Sequence, residues 1–469
     1  MRAPLRIGVG TPAPGGAGAL AAVVGRALAR LGVLATLAGG APAFASGTDL
    51  LTLTREALIN DPSYAAARFA QVATAEVEPQ ARSNLLPNVT ASIGDSANRY
   101  DFRSQNDALL PSFEKTFNSW GPALNFTLPV YSAPLWESLT EAKLTIKQSE
   151  SQLAQARSDL VVRVAQAYFD VLAAQDALSA LRENKKAVSE QLAQAKREFE
   201  VGTKTIVDTH EAKARYDQID AQEQVARGDL AVKQSALRAI VGHDAGELQA
   251  LRDPVQLIPP QPNDVDTWAR DAEDSNYSVL AARAATEIAR HETQRARDAY
   301  QPTVNITGGI QYQKSTGNIY IPVGNNTTGS ALGITLTVPV FTGGAIQSNV
   351  RAAHAREDQA DQNLELARRT AAQAARQAYT GVDYGLAQVQ ALESAEISAK
   401  TQVDSTLLGY HVGVRINLDV LNANTQLFNT QRDLKKARYD FLVNGLKLKA
   451  SAGALRDEDI ETVNALLQR

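Results

Sequence analysis

The sequence predicts a mostly α-helical chain that also carries a small β-sheet of the membrane-barrel type. Three observations predict it: an internal repeat at a spacing of about 211 residues, two long stretches free of proline, and four segments that alternate apolar with polar residues.

At the N-terminus, residues 1–45 carry Arg2, Arg6, Arg26 and Arg30 and no acid, then an apolar run from Leu31 to Ala41 and the triplet Ala43-Phe44-Ala45. Basic, apolar, then small-x-small is the order of a secretory signal peptide, cleaved after Ala45. The remaining chain holds 43 Lys plus Arg against 51 Asp plus Glu, a net charge of −8. Phosphate recognition needs clustered cations, so no nucleic-acid partner is expected. Cysteine is absent, which removes disulfides, thiolate metal sites and a lipid-modified cysteine. After the signal no run of 18 apolar residues occurs, so a membrane could be crossed only by a closed β-barrel.

The repeat organises the rest. Pro87-Asn88-Val89-Thr90 recurs as Pro302-Thr303-Val304-Asn305, and Leu128-Pro129-Val130-Tyr131 as Val338-Pro339-Val340-Phe341. Ala167-Tyr168, Val201-Gly202, Asp208 and Gly242 recur as Ala378-Tyr379, Val412-Gly413, Asp419 and Gly453. Two structural repeats follow, residues 46–255 and 256–469, each with short helices, a strand pair and a long helical hairpin.

Proline is absent from residues 135–253 and again from 340 to the end, and both stretches are rich in good helix formers. Leu160, Val164, Ala167, Val171, Ala174, Leu178 and Leu181 alternate spacings of four and three, as coiled-coil packing does. The matching breaks Glu200-Val201-Gly202-Thr203 and His411-Val412-Gly413-Val414 are read as hairpin tips. A helix over 137–199 spans roughly 90 Å at 1.5 Å per residue and needs partners along its whole course.

Before each hairpin the period becomes two. Val89, Ala91 and Ile93, then Leu124, Phe126, Leu128 and Val130, alternate with polar residues, as do Val304, Ile306 and Ile310, then Leu332, Ile334, Leu336, Val338 and Val340. Four strands of about ten residues with one apolar face fit a membrane barrel; a soluble antiparallel sheet covered by helices alternates in the same way. Tyr100, Phe102, Phe117, Trp120, Tyr131, Tyr300, Tyr312, Tyr320 and Phe341 fall at strand ends or in the loops, where girdle aromatics stand. The smallest single-chain barrels have about eight strands, so four strands per chain require oligomerisation, and three copies give twelve. Polar loops are expected over 103–116 and 314–328.

With Leu85-Leu86-Pro87, the two strand endings, Ala167-Tyr168-Phe169-Asp170-Val171-Leu172 and the tips Arg197 to Thr203 and Gly409 to Gly413, the chain resembles the TolC family of outer-membrane efflux proteins. The resemblance covers the whole mature chain. It implies a homotrimer in the outer membrane of a Gram-negative bacterium: a twelve-stranded β-barrel, four strands per protomer, continuing into a twelve-helix α-barrel through the periplasm. It also implies passive passage for efflux or type I secretion, driven by an inner-membrane transporter of ABC, RND or MFS type. A periplasmic adaptor, or membrane fusion protein, would meet the tips at Val201, Gly202, Thr203, Val412, Gly413 and Val414.

The resemblance further places a resting gate at Asp208, Tyr410, Arg415 and Asp419, with Asp419 forming an acidic ring in the trimer. The family's pattern can hold a second acidic ring one turn on, and here that position is Asn422. Read from spacing alone, Arg415 and Asp419 are an i, i+4 surface ion pair. No enzyme is expected, and neither a cofactor nor a metal. The five histidines have no metal-ligand spacing, and no nucleophile-elbow or phosphate-loop sequence occurs. His210 and His411, near the tips, read either as solvated surface histidines or as groups that modulate gating with pH. Two other classes stay open: a periplasmic adaptor, which would carry one hairpin rather than two, and a soluble coiled-coil scaffold, which would need neither signal nor strand pairs.

Overall fold

The computed structural model describes residues 47–468 except 106, 107, 110, 204 and 318–322. The signal peptide expected over 1–45 and the aromatic Tyr320 lie outside the described residues. Three short helices open the described residues: α1 (Leu50–Asn60), α2 (Pro62–Ala75) and α3 (Val77–Ser83). Each start is written locally. The Asp49 carboxylate accepts from the Thr52 N–H at 2.9 Å, and the Asp61 carboxylate from the Tyr64 N–H at 2.7 Å, with Pro62 in the first turn where its missing N–H costs nothing.

Strands β1 (Asn88–Phe102) and β2 (Phe113–Tyr131) lead into α4 (Ala133–Glu200) and its return helix α5 (Ile206–Val241). The order recurs as α6 (Val265–Ser275), α7 (Tyr277–Asp298), β3 (Thr303–Ser315), β4 (Asn325–Thr337), α8 (Ala345–His411) and α9 (Asn417–Ser451), followed by α10 (Asp457–Asn464). One difference between the repeats has a sequence cause: α7 runs unbroken where α2 and α3 divide, and Pro79 stands in α3 without a proline counterpart in α7.

Helix α4 has 68 residues and α8 has 67, about 100 Å each at 1.5 Å per residue. The expected heptad residues face inward: Leu160, Val164, Val171, Ala174 and Leu178 are buried, and Ala167 and Leu181 pack partly buried against the core. The return helices reach only half as far, 36 and 35 residues. Towards the tips α4 packs on α5 and α9, and α9 on α8, giving the lane order α5, α4, α9, α8. Nearer the sheet, α7 takes the lane between α4 and α8, while α2 and α3 flank α4 on its other side. The lanes join end to end. Asn60 donates from its side-chain amide to the Val241 carbonyl at 3.0 Å, and Asn276 to the Ser451 carbonyl at 2.7 Å, satisfying carbonyls that the ends of α5 and α9 would otherwise leave orphaned.

The four strands form one antiparallel sheet in the order β1-β2-β3-β4. They are longer than the expected ten residues, at 15, 19, 13 and 13. The loops are correspondingly shorter than 103–116 and 314–328, because Phe113 begins β2 and Ser315 still ends β3. Val338 and Val340 fall beyond the end of β4 at Thr337. Register aligns Val89, Phe126, Gly308 and Leu332 in one row and Ala91, Leu124, Ile310 and Ser330 in the next, so the apolar residues share a face. Trp120 and Tyr312 stand on that face at its upper end, and a bulge between Pro129 and Tyr131 brings Tyr131 into the row of Val304 at its lower end. Tyr100, Phe102 and Phe117 do not join this girdle: register puts them on the opposite face, with Thr90, Ser92 and Ser96.

The main core lies midway along the long helices, where α1, α10 and the loops around residues 245–257 wrap α4 and α9. Tyr168 meets Phe169 edge-on at 5.4 Å between centroids, and Phe169 stacks on Tyr439 at 5.5 Å, tying the two hairpins together. The Tyr168 hydroxyl donates to the Gln249 carbonyl at 2.8 Å; its repeat counterpart Tyr379 donates to Asn263 at 2.7 Å.

Candidate gate and helical tips

Both tips close in the same way. At the first, the Gly202 N–H donates to the Phe199 carbonyl at 2.9 Å and the Thr203 N–H to the Glu198 carbonyl at 2.9 Å. At the second, Gly413 donates to Tyr410 at 3.1 Å and Val414 to Gly409 at 2.9 Å. These are paired Schellman closures, which need a left-handed residue just past the helix. Gly202 and Gly413 supply it, at φ 77° and 80°, where a Cβ would be strained. The turn therefore leaves its apolar neighbours outside: Val201, Val412 and Val414 are all exposed, as are Ile206, Val207 and Ile416 beside them.

Each return helix is started by an aspartate in its first turn. The Asp208 carboxylate accepts from the Thr205 N–H at 3.2 Å and hydroxyl at 2.9 Å, and the Asp419 carboxylate from the Ile416 N–H at 3.4 Å. Negative charge at a helix N-terminus is favoured by the macrodipole, so both aspartates hold their place before any role in a lumen is considered. Arg415 approaches Asp419 at 3.7 Å, the i, i+4 pair that the spacing gives. Its stem crosses Gly409, where an added Cβ would meet the Arg415 Cγ at 2.8 Å.

Tyr410 is buried at 4% exposure and donates from its hydroxyl to Glu198 at 2.6 Å, a bond from α8 to α4. The other Glu198 oxygen accepts from Gln194 at 2.8 Å. Burial first, then the bonded Glu198 carboxylate and the nearby Asp208, raise the Tyr410 phenol above its ordinary value and keep the proton on it. The four expected gate residues thus fall into two groups, Tyr410 with Asp208 nearby, and Arg415 with Asp419. Glu198 was missed, because nothing in its local pattern separates it from a solvated helix glutamate. Asn417 was missed too. It is wholly buried at the start of α9, and among the described residues neither atom of its amide finds a hydrogen-bond partner.

A family profile described as "Outer membrane efflux protein" matches residues 53–243 and 268–454. The chain belongs to the outer membrane efflux protein family. It is 32% identical to the outer membrane protein TolC of Vibrio cholerae over 421 residues, covering 90% of this chain and 94% of that protein. It is 29% identical over 435 residues to the alkaline protease secretion protein AprF of Pseudomonas aeruginosa, covering 90% and 88%. Among solved structures, the CmeC outer membrane channel of Campylobacter jejuni superposes with a TM-score of 0.75 at 18% identity, covering 89% of this chain and 90% of that one.

Membership in the efflux family places the protein in the outer membrane as an exit duct for efflux or secretion, with its helices in the periplasm, and removes the adaptor and the soluble scaffold as readings. The apolar face of the sheet is therefore the lipid face, and the face carrying Thr90, Asn125 and Thr307 lines the bore. Among the described residues no helix is long and apolar enough to cross a membrane, and no group of three or more His, Asp or Glu could hold a metal ion.

Proposed function

We propose that three copies close head to tail into a twelve-stranded barrel continuing into a twelve-helix tunnel, and that this trimer is a passive duct rather than an enzyme. The carrying observation is that one chain supplies a four-stranded sheet whose two edges, β1 and β4, are unpaired among the described residues. Edges of this kind cannot face hydrocarbon. The helix lanes match it. Phe69 and Val72 on α2, with Val225 and Val232 on α5, are exposed at one edge, and Leu366, Tyr384, Ile397 and Leu408 on α8 at the other. A contact between two different edges is heterologous, and closes into a ring when the rotation allows.

In this reading the tips close the duct at rest. Tyr410 with Asp208, and Arg415 with Asp419, form the gate, and three copies of Asp419 concentrate negative charge in a narrow bore. Val201, Gly202, Thr203, Val412, Gly413 and Val414 present the end surface to a periplasmic adaptor, which couples the duct to an inner-membrane transporter of ABC, RND or MFS type. Residues 1–45 act as a signal peptide, and residues 46–255 and 256–469 are the two repeats. The test is the mass of the detergent-purified protein with its conductance in a planar bilayer. A trimer that forms small cation-selective channels supports the reading; a monomer that does not insert overturns it.

A further inference from the structure

The first hairpin outgrows the second. The last ladder pairs of β3 are Ser315 with Ser119 and Ser315 with Asn325, and Thr316 still bonds Asn118 at 2.9 Å, so, among the described residues, 98–102 and 113–117 continue as a ribbon of two strands only. Five residues per strand carry it about 17 Å beyond the rest of the sheet. Along this ribbon the polarity of the faces is exchanged. Below Ser96 the apolar residues face lipid and the bore side is polar. Above it the lipid-side parity carries Arg99, Asp101 and Glu114, with Arg99 and Glu114 ion-paired, and the bore side carries Tyr100, Phe102, Phe113 and Phe117. The rings form two stacks, Tyr100 on Phe117 at 5.8 Å and Phe102 on Phe113 at 5.2 Å.

A two-stranded ribbon is at best marginal in water and gains stability by covering an apolar face. Tyr100 and Phe102 nevertheless remain 43% and 38% exposed in the single chain. Lipid cannot cover them, because the ribbon lies beyond Trp120 and Tyr312 at the upper limit of the apolar band, and its outer face is charged. Among the described residues, the surface that the bore side can reach is the same face of other copies. A twelve-stranded barrel tilted by about 40° has a backbone diameter of about 24 Å, a gap that inward rings from three sides substantially narrow.

We propose that the ribbons of three copies converge through Tyr100, Phe102, Phe113 and Phe117 into an aromatic constriction over the outer mouth, a second closure at the opposite end from the tips. The partner of this surface is the same surface on another copy. Lys115, opposite Tyr100, shares the face, and its aliphatic stem can lie along the rings. The inference rests on the trimeric reading.

The chain has no cysteine, so single cysteines report without background. Full-length Phe102→Cys, Phe117→Cys and the outer-face control Thr116→Cys are purified in detergent, weighed under native conditions, and treated with a short thiol cross-linker. The expected result is a trimer in which the protomer band shifts to a two-protomer band for Phe102→Cys and Phe117→Cys but not for Thr116→Cys. A trimer without cross-links at either inner position, or with equal cross-linking at Thr116→Cys, overturns the constriction and leaves the duct standing. A native mass of one protomer overturns the trimeric reading itself, and the constriction with it.

Discussion

The Tyr410 hydroxyl on α8 donates a 2.6 Å hydrogen bond to Glu198 on α4, while the backbone carbonyl of the same Glu198 closes the first tip by accepting from Thr203. One residue thus joins the two hairpins at the end where the duct is proposed to close. Glu198→Ala removes the acceptor and is expected to raise resting conductance, whereas Glu198→Gln keeps a carbonyl acceptor and is expected to leave it closer to the parent. Single-channel recording of the two variants side by side checks this.

The same bond sets a pH expectation. The folded phenol is raised above its ordinary value of 10.0, so the stabilisation is fully present below about pH 10 and is lost only as pH rises beyond it towards the higher folded value. Resting conductance should be flat from about pH 7 to 9 and rise above about pH 10. The parent's rise should be absent from Tyr410→Phe.

Glu223 joins α4 to α5. It is 3% exposed and accepts from Lys185 at 2.9 Å and Arg227 at 2.5 Å, with Arg182 at 3.4 Å. The Lys185 and Arg227 bonds hold its carboxyl down at about 2 against an ordinary 4.5. A depressed carboxyl stabilises above its unfolded value, so this contribution is complete above about pH 4.5 and lost as pH falls towards 2. Glu223→Gln should lower stability at neutral pH by roughly 2–3 kcal/mol, below the range for a fully buried pair because both arginines are half exposed. Thermal melts followed by circular dichroism should also show a weaker acid dependence in the variant.

Gly413→Ala places a Cβ at φ 80° and is expected to cost about 1 kcal/mol locally. The trimer should persist, while co-purification with the adaptor falls because the Val412 and Val414 surface is displaced. Unchanged adaptor recovery would remove this tip from the contact.

Asp419→Asn keeps an acceptor for the Ile416 N–H but discharges the proposed ring. Block by a trivalent cation added from the tip side should need about tenfold more cation, equivalent to about 1.4 kcal/mol.

Much of this architecture was legible because it is written in local rules. Pro134 and Pro254 bound the first helical hairpin, Gly202 and Gly413 mark its tip and that of the second, and the period-two rows of Leu124 to Leu128 and Leu332 to Leu336 mark the lower sheet. Asp208 and Asp419 were visible from the repeat. What was not legible depends on pairing across the chain. Glu198 becomes distinctive only when Tyr410, 212 residues away, reaches it. Tyr100 and Phe117 read as girdle aromatics because a strand end looks the same on either face; only the register with Lys115 and Asn98 shows that they point to the bore. Asn417 at the start of α9 reads as an ordinary polar position until the fold buries it completely.

The central claim is a duct closed at rest by contacts between its own hairpins. Single-channel conductance of Tyr410→Phe/Arg415→Ala against the parent, in planar bilayers at matched salt, tests it most directly. The account predicts a higher resting conductance in the double variant with the trimer intact; an intact trimer that conducts like the parent would contradict it.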